Sequence, residues 1–281
     1  MTAGDASAIL DVRNLVVDYG RGRVLKRAVD GATFSISQGE TLGLVGESGS
    51  GKTTIGMTVL GLVAPTGGEV FFEGRDLVTM NKRDRRALAP HLQVIFQDPY
   101  SSLDPSKTIG YTLAEPCLVT GSESRRAVHD RAVALLERVG LSAEAAQRYP
   151  AQFSGGQRQR IAIARALMLS PRLIVCDEPV SALDLSVQAE VLNLLTELQR
   201  EMSLSMLFIS HDLAVVRHVA QRVVVLRHGR IVEAGSAEDI YRRPQDPYTQ
   251  ELLAAAPVPD PVAQARKRNA RRSLTTKEVR S

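Results

Sequence analysis

Residues 46–54 read "GESGSGKTT". Gly46, Gly51, Lys52 and Thr53 fit G-x-x-x-x-G-K-[ST], set between an apolar run and a helix-like one, the context a phosphate-binding loop requires. The glycines, Gly49 included, let the backbone N–H groups of Glu47, Ser48 and Ser50 curl around phosphate oxygens. Lys52 brings positive charge to the β- and γ-phosphates, the Thr53 hydroxyl is a ligand for Mg²⁺, and Thr54 continues into the helix. "LIVCDEP" at 173–179 supplies the matching acids. An apolar strand delivers Asp177 to its end, where it can hold Mg²⁺ through water, and Glu178 follows as the carboxylate that polarises an attacking water. The chemistry implied is nucleoside triphosphate binding. A third stretch, "QFSGGQRQR" at 152–160, places Ser154, Gly155, Gly156 and Gln157 before a helical pattern. A helix N-terminus with small residues is a second anion site.

These residues need elements that position them. Residues 9–19 and 32–36 read as strands, 39–46 as a compact apolar strand, and 68–78 as a strand pair turning at Glu73–Gly74. Further strands are expected at 172–178, 205–210 and 222–235, the last with a turn at His228–Gly229. Helices are expected at 53–62, 126–139, 157–169 and 187–201. Apolar strands alternating with helices predict an α/β layered core with a largely parallel sheet. The strands before residue 40 suggest a separate antiparallel patch, and residues 98–168 interrupt the alternation with a mainly helical block.

Composition narrows the class. The chain has 281 residues, 44% of them hydrophobic, as expected of a folded globular protein. Aromatics are 4% and Trp is absent, which argues against a surface that stacks bases. The net charge of +4 is concentrated in residues 257–281, where Arg266, Lys267, Arg268, Arg271, Arg272, Lys277 and Arg280 face only Asp260 and Glu278. The remainder is close to neutral, so nucleic acid is not an expected partner. No apolar run reaches the roughly 20 residues that span a bilayer, and no secretory signal is visible. Cys117 and Cys176 fit neither a disulfide framework nor a metal spacing, and a cytosolic setting is expected.

"FSGGQRQR" resembles the signature sequence of ATP-binding cassette (ABC) ATPases. "GESGSGKTT", "LIVCDEP", "SALD" (181–184) and "FISHD" (208–212) complete that family's motif set in order. "VIFQDPYSSLDP" (94–105) and "QDPYTQELL" (245–253) resemble the oligopeptide, dipeptide and nickel importer branch. The resemblance implies a P-loop NTPase (RecA-like) core with an antiparallel β subdomain and an inserted α-helical subdomain. On that pattern residues 1–256 form one cassette, helical over about 98–168, and 257–281 form a basic, flexible tail.

Carried over by position, Tyr19 stacks on adenine, and Gln97 contacts Mg²⁺ and the attacking water. Asp184 communicates across a dimer interface, and His211 contacts the γ-phosphate. Cassettes of this family pair head to tail, so each ATP lies between the phosphate loop of one and Ser154–Gln157 of the other. The resemblance therefore implies ATP and Mg²⁺ at the site, and a second cassette, identical or paralogous, as partner. It also implies integral membrane permeases docking near Gln97 and "DPYSSLDP", and indirectly an extracytoplasmic solute-binding protein. The expected place is the cytoplasmic face of the membrane, held peripherally, and the expected role is powering uptake of peptides or a related small solute. The alternative is an ABC ATPase acting on ribosomes or DNA. Many members of the branch carry a cysteine-bearing C-terminal segment associated in some with an iron–sulfur cluster. No cysteine follows Cys176 here, so no cluster is expected.

Overall fold

The computed structural model describes residues 8–21, 24–98, 103–120 and 124–255. Residues 99–102 of the "DPYSSLDP" stretch and the basic stretch 257–281 lie outside the described residues. The chain opens with β1 (Ala8–Arg21), β2 (Val24–Ser37), β3 (Thr41–Val45) and α1 (Lys52–Val59). It continues through β4 (Gly67–Phe72), β5 (Arg75–Asp76), α2 (Lys82–Leu88) and β6 (Leu92–Ile95). Three helices follow, α3 (Ile109–Thr120), α4 (Arg125–Arg138) and α5 (Gly155–Leu167), then β7 (Leu173–Asp177), α6 (Leu185–Met202) and β8 (Ser205–Ser210). The last elements are α7 (Leu213–Val219), β9 (Arg222–Arg227), β10 (Arg230–Ser236), α8 (Ala237–Arg242) and α9 (Pro247–Ala255).

Two sheets result. The antiparallel one has the order β2-β1-β4-β5, and the six-stranded one the order β10-β9-β3-β8-β7-β6. In the second, β9, β3, β8, β7 and β6 run parallel and only β10 is antiparallel to its neighbour. β3 and β8 are buried at every position, as strands covered on both faces must be, and they read as continuous apolar runs. Successive side chains point to opposite faces. Ile174 and Cys176 therefore join the helices α3 to α7 in one apolar layer, while Leu173 and Val175 join β1, β2, β4 and α1 in the other. Fully buried Leu42, Leu44 and Phe208 each contribute about 1.5–3 kcal/mol of burial. Burial pushes the Cys176 thiol up to about 12, which makes it an inert core residue, as expected from its apolar run.

The strand register decides where function can sit. Val45 pairs with Ser210, Asp177 with Ile209, and Ile95 with Cys176, so β3, β8, β7 and β6 end together. Ligands of open α/β sheets bind at this carboxyl edge.

Some boundaries differ from the sequence reading. α1 stops at Val59 because Gly61 takes a left-handed φ of 72°, and the N–H groups of Leu62 and Val63 turn back to the Met57 carbonyl. β6 escaped notice because it is short, mostly half-buried and, among the described residues, an edge strand paired with β7 alone. α2, α7, α8 and α9 are too short for their apolar period to stand out.

Candidate active site

The phosphate loop runs from the end of β3 into α1 and is shaped from behind by its own fold. At Gly51, where φ is 108°, a Cβ would stand 2.4 Å from the Ala28 carbonyl oxygen. At Gly46 a Cβ would stand 2.1 Å from the Leu226 carbonyl oxygen. Only glycine lets the backbone pass this close, which is why the pattern demands it. The N–H of Gly229, in the β9–β10 turn, donates to the Ser50 carbonyl at 2.8 Å. Lys52 is 4% exposed, and its Nζ donates to the carbonyls of Gly46 at 2.7 Å and Glu47 at 2.8 Å. Burial lowers its pKa, against the opposing pull of Glu178, Asp177 and Glu47. Tyr19, 45% exposed at the end of β1, lies beside the loop with its hydroxyl 3.4 Å from Thr54 Oγ1.

Asp177 and Glu178 arrive on β7. The Thr53 hydroxyl donates to Asp177 Oδ1 at 3.1 Å, so the two residues expected to share a cation stand together. Burial raises the Asp177 pKa, the Thr53 hydrogen bond opposes the rise, and the Glu178 charge adds to it. Glu178 takes φ = 49°, unusual for a non-glycine residue, and its N–H is held by the Ile209 carbonyl of β8 at 3.0 Å. A strained backbone at a strand end is frequently functional. His211 follows β8, with Nδ1 3.1 Å from Glu178 Oε2. Gln97 is exposed two residues beyond the end of β6, on the same sheet edge. Loop, acids, histidine and glutamine thus gather at one edge through parallel strands adjacent in space.

A hydroxyl and a half-buried carboxylate at hydrogen-bond distance suit Mg²⁺, a hard cation held by one or two carboxylates together with substrate phosphates. The oxygen donors present fit that ion, and the burial that disfavours the Asp177 charge is what a cation there would offset.

Ser154 to Gln157 are placed elsewhere. Ser154 caps α5: its hydroxyl accepts from the Gln157 N–H at 3.3 Å, and Gln157 Oε1 accepts from the Ser154 N–H at 3.0 Å. This reciprocal cap orients the first turn of the helix. Arg158, behind it, donates from Nε to the Pro150 carbonyl at 2.8 Å. Gly156 is buried against α6, where a Cβ would stand 2.3 Å from Val187 Cγ1. Asp184 caps α6 by accepting from the Val187 N–H at 3.0 Å, and this bond and that from Ser186 hold its pKa down. Among the described residues, no hydrogen bond or ion pair joins Ser154–Gln157 to Gly46–Thr54. The chain therefore presents separately the two turns expected from the sequence to bind anions.

One contact was missed in the sequence. Tyr248, in α9, is 2% exposed and accepts a hydrogen bond from the Glu47 N–H at 2.9 Å. "QDPYTQELL" marked a branch resemblance but gave no spacing to Glu47 that could reveal the contact.

Known proteins share this architecture. A family model described as "ABC transporter" matches residues 29–181, and one described as "Oligopeptide/dipeptide transporter, C-terminal region" matches residues 232–279. A putative peptide import ATP-binding protein of Brucella ovis is 52% identical over 255 residues, which cover 91% of this chain and 80% of that protein. The oligopeptide transport ATP-binding protein OppF of Salmonella typhimurium is 52% identical over 236 residues, 84% of this chain and 71% of that protein. The dimeric post-hydrolysis state of the ATP-binding cassette MJ0796, bound to ADP and Pi, superposes with a TM-score of 0.72 at 28% identity, covering 81% of this chain and 98% of that one.

Proposed function

This chain belongs to the ABC transporter family, and from that premise we propose that it is an ATP-hydrolysing subunit powering uptake of peptides or a related small solute through separate membrane permeases. The observation that carries the reading is the separation of two glycine-bearing turns in one chain, one joined to Asp177 by the Thr53 hydrogen bond and the other not. In a head-to-tail pair each turn completes the site of the partner cassette. The peptide-import names of the relatives support the solute class and favour transport over action on ribosomes or DNA.

Within the site, Tyr19 stacks on the adenine, and Gly46–Thr54 wraps the phosphates with Lys52 neutralising their charge. Thr53, Asp177 and Gln97 would hold Mg²⁺, which would supply positive charge to the phosphate oxygens. Glu178 orients the attacking water and takes up its proton, while His211 steadies both Glu178 and the γ-phosphate. Ser154–Gln157 of the opposite cassette closes on the γ-phosphate, and Asp184 carries the state of one site to the other. Loss of the γ-phosphate opens the pair.

Residues 1–256 serve as one cassette with its helical part over about 98–168, and 257–281 serve as a basic tail. The surface around Gln97 and residues 98–105 receives the permeases, which hold the subunit on the cytoplasmic face of the membrane. A solute-binding protein delivers the cargo on the far side. Among the described residues no helix is long and apolar enough to cross a membrane, so the pore is assigned to those partners.

Mixing two inactive variants tests the composite site. Ser154→Arg disables the capped turn and Lys52→Ala the phosphate loop, so each homodimer is dead. A mixed dimer has one site with both lesions and one intact site. Recovered ATP turnover or ATP-driven closure on mixing is the expected result. Confirmed mixed dimers that recover neither would show that both turns serve one nucleotide within one chain.

A further inference from the structure

Tyr248 touches the phosphate loop at the peptide that joins Gly46 to Glu47. Its hydroxyl accepts from the Glu47 N–H at 2.9 Å. The carbonyl of the same peptide unit, that of Gly46, accepts from Lys52 Nζ at 2.7 Å. A trans peptide is planar, with its N–H and C=O pointing opposite ways. Tyr248 and Lys52 therefore grip the two ends of one plate. The plate is flanked by a glycine, the residue least able to resist rotation of its peptide.

The grip is itself anchored. The Tyr248 ring packs beneath the Arg227 guanidinium, 4.7 Å from it, at the end of β9. The Tyr248 N–H donates to Asp246 Oδ1 at 2.8 Å, which fixes the start of α9. The preceding turn is tied to β10, where the Glu233 carboxylate accepts from the N–H groups of Gln245 at 2.8 Å and Asp246 at 3.1 Å. An aromatic anchor from residues late in the chain is thus locked in place before it reaches the loop. Burial raises the phenol pKa, so the group stays a neutral hydroxyl.

We propose that Tyr248 is a positioning residue of the nucleotide site: by holding the Gly46–Glu47 peptide plane it directs the Gly46 carbonyl at Lys52 and presets the loop for phosphate. α9 is then a mechanical link between the C-terminal part of the chain and nucleotide affinity. The proposal rests on the reading of Gly46–Thr54 as the nucleotide loop.

Tyr248→Phe removes the acceptor and keeps the ring, its burial and the Arg227 contact. Using the full chain, the dissociation constant for MgATP measured by calorimetry should rise about three- to tenfold, the loss of one hydrogen bond of ordinary net strength. KM for ATP should rise in parallel, with kcat changed less than about twofold, because the plane is set before chemistry begins. Tyr241→Phe, a hydroxyl deletion on the neighbouring helix α8, should leave the affinity unchanged. In the nucleotide-free wild-type chain the Glu47 amide should exchange slowly, and in Tyr248→Phe quickly. Unchanged affinity in Tyr248→Phe overturns the proposal, as does rapid Glu47 exchange in the wild type. An equal fall of kcat and affinity with a lowered melting temperature also overturns it, since that is the pattern of a merely structural residue. A wild-type chain that fails to bind MgATP overturns the nucleotide-loop reading itself, a separate and distinguishable failure.

Discussion

Gly156→Ala probes whether the capped turn of α5 and the start of α6 move as one piece. The added Cβ would stand 2.3 Å from Val187 Cγ1, against an optimum of about 3.5–4.0 Å between carbons. Val187 cannot swing away cheaply, because a β-branched side chain in a helix has one strongly preferred χ1. The helices must therefore part, and overpacking of this kind costs about 1–3 kcal/mol. Replacing a helical glycine by alanine returns at most about 0.5–1 kcal/mol. At the middle of both ranges the net loss should be about 1 kcal/mol, or roughly 2–4 °C in melting temperature for a large domain. Val187→Ala removes the obstructing methyl and should cost about 0.5–1.5 kcal/mol alone. Urea denaturation of the wild type, both single variants and the double variant then measures a coupling of about 1 kcal/mol or more in favour of the double. Because Ser154 caps α5 and Asp184 caps α6, parting the helices also misaligns both turns, and ATP turnover should fall in Gly156→Ala and recover in the double variant. Strictly additive losses would refute the contact and the mechanical unit built on it.

Glu178→Gln should keep ATP binding within about twofold and lower hydrolysis by about 10²–10⁴-fold, the range for loss of a general base; undiminished steady-state turnover removes Glu178 from that role. Asp177→Asn should abolish Mg²⁺-dependent hydrolysis yet raise the melting temperature of the nucleotide-free protein at ~pH 7. The sign follows from the raised folded pKa of Asp177: the native state binds the extra proton, so its contribution is present at low pH and lost as pH rises through the raised value. The two melting curves should converge as pH falls toward the ordinary carboxylate value of about 4, and a variant less stable than wild type across that window contradicts the burial argument.

Much of the site was legible in the residues because its chemistry is local. A loop that wraps phosphate needs glycines at set intervals and a lysine at a set offset, so Gly46, Gly51, Lys52 and Thr53 announce themselves within a few residues. Asp177 and Glu178 are legible for a similar reason: a strand buried on both faces is written as an unbroken apolar run, and its end is where the acids must stand. The capping box Ser154–Gln157 is also a short-range device, four residues that satisfy one another. The α/β alternation and the antiparallel opening were readable from period and length.

Spatial neighbourhood was not readable. Nothing in the spacing of Thr53 and Asp177 states that their side chains meet at 3.1 Å. That follows from the strand order β3-β8-β7-β6, which goes with helices packed on one face and the antiparallel sheet with α1 on the other. The strained φ of Glu178 depends on a hydrogen bond from its N–H to β8. The approach of Gly156 to Val187 depends on how two helices cross. Tyr248 reaches Glu47 across some 200 residues because α9 folds back on the phosphate loop, with a partner separation of 201. Short-range backbone and charge requirements leave a pattern in the chain. Contacts between elements are chosen by the global balance of burial against chain entropy, and only the folded arrangement records which ones won.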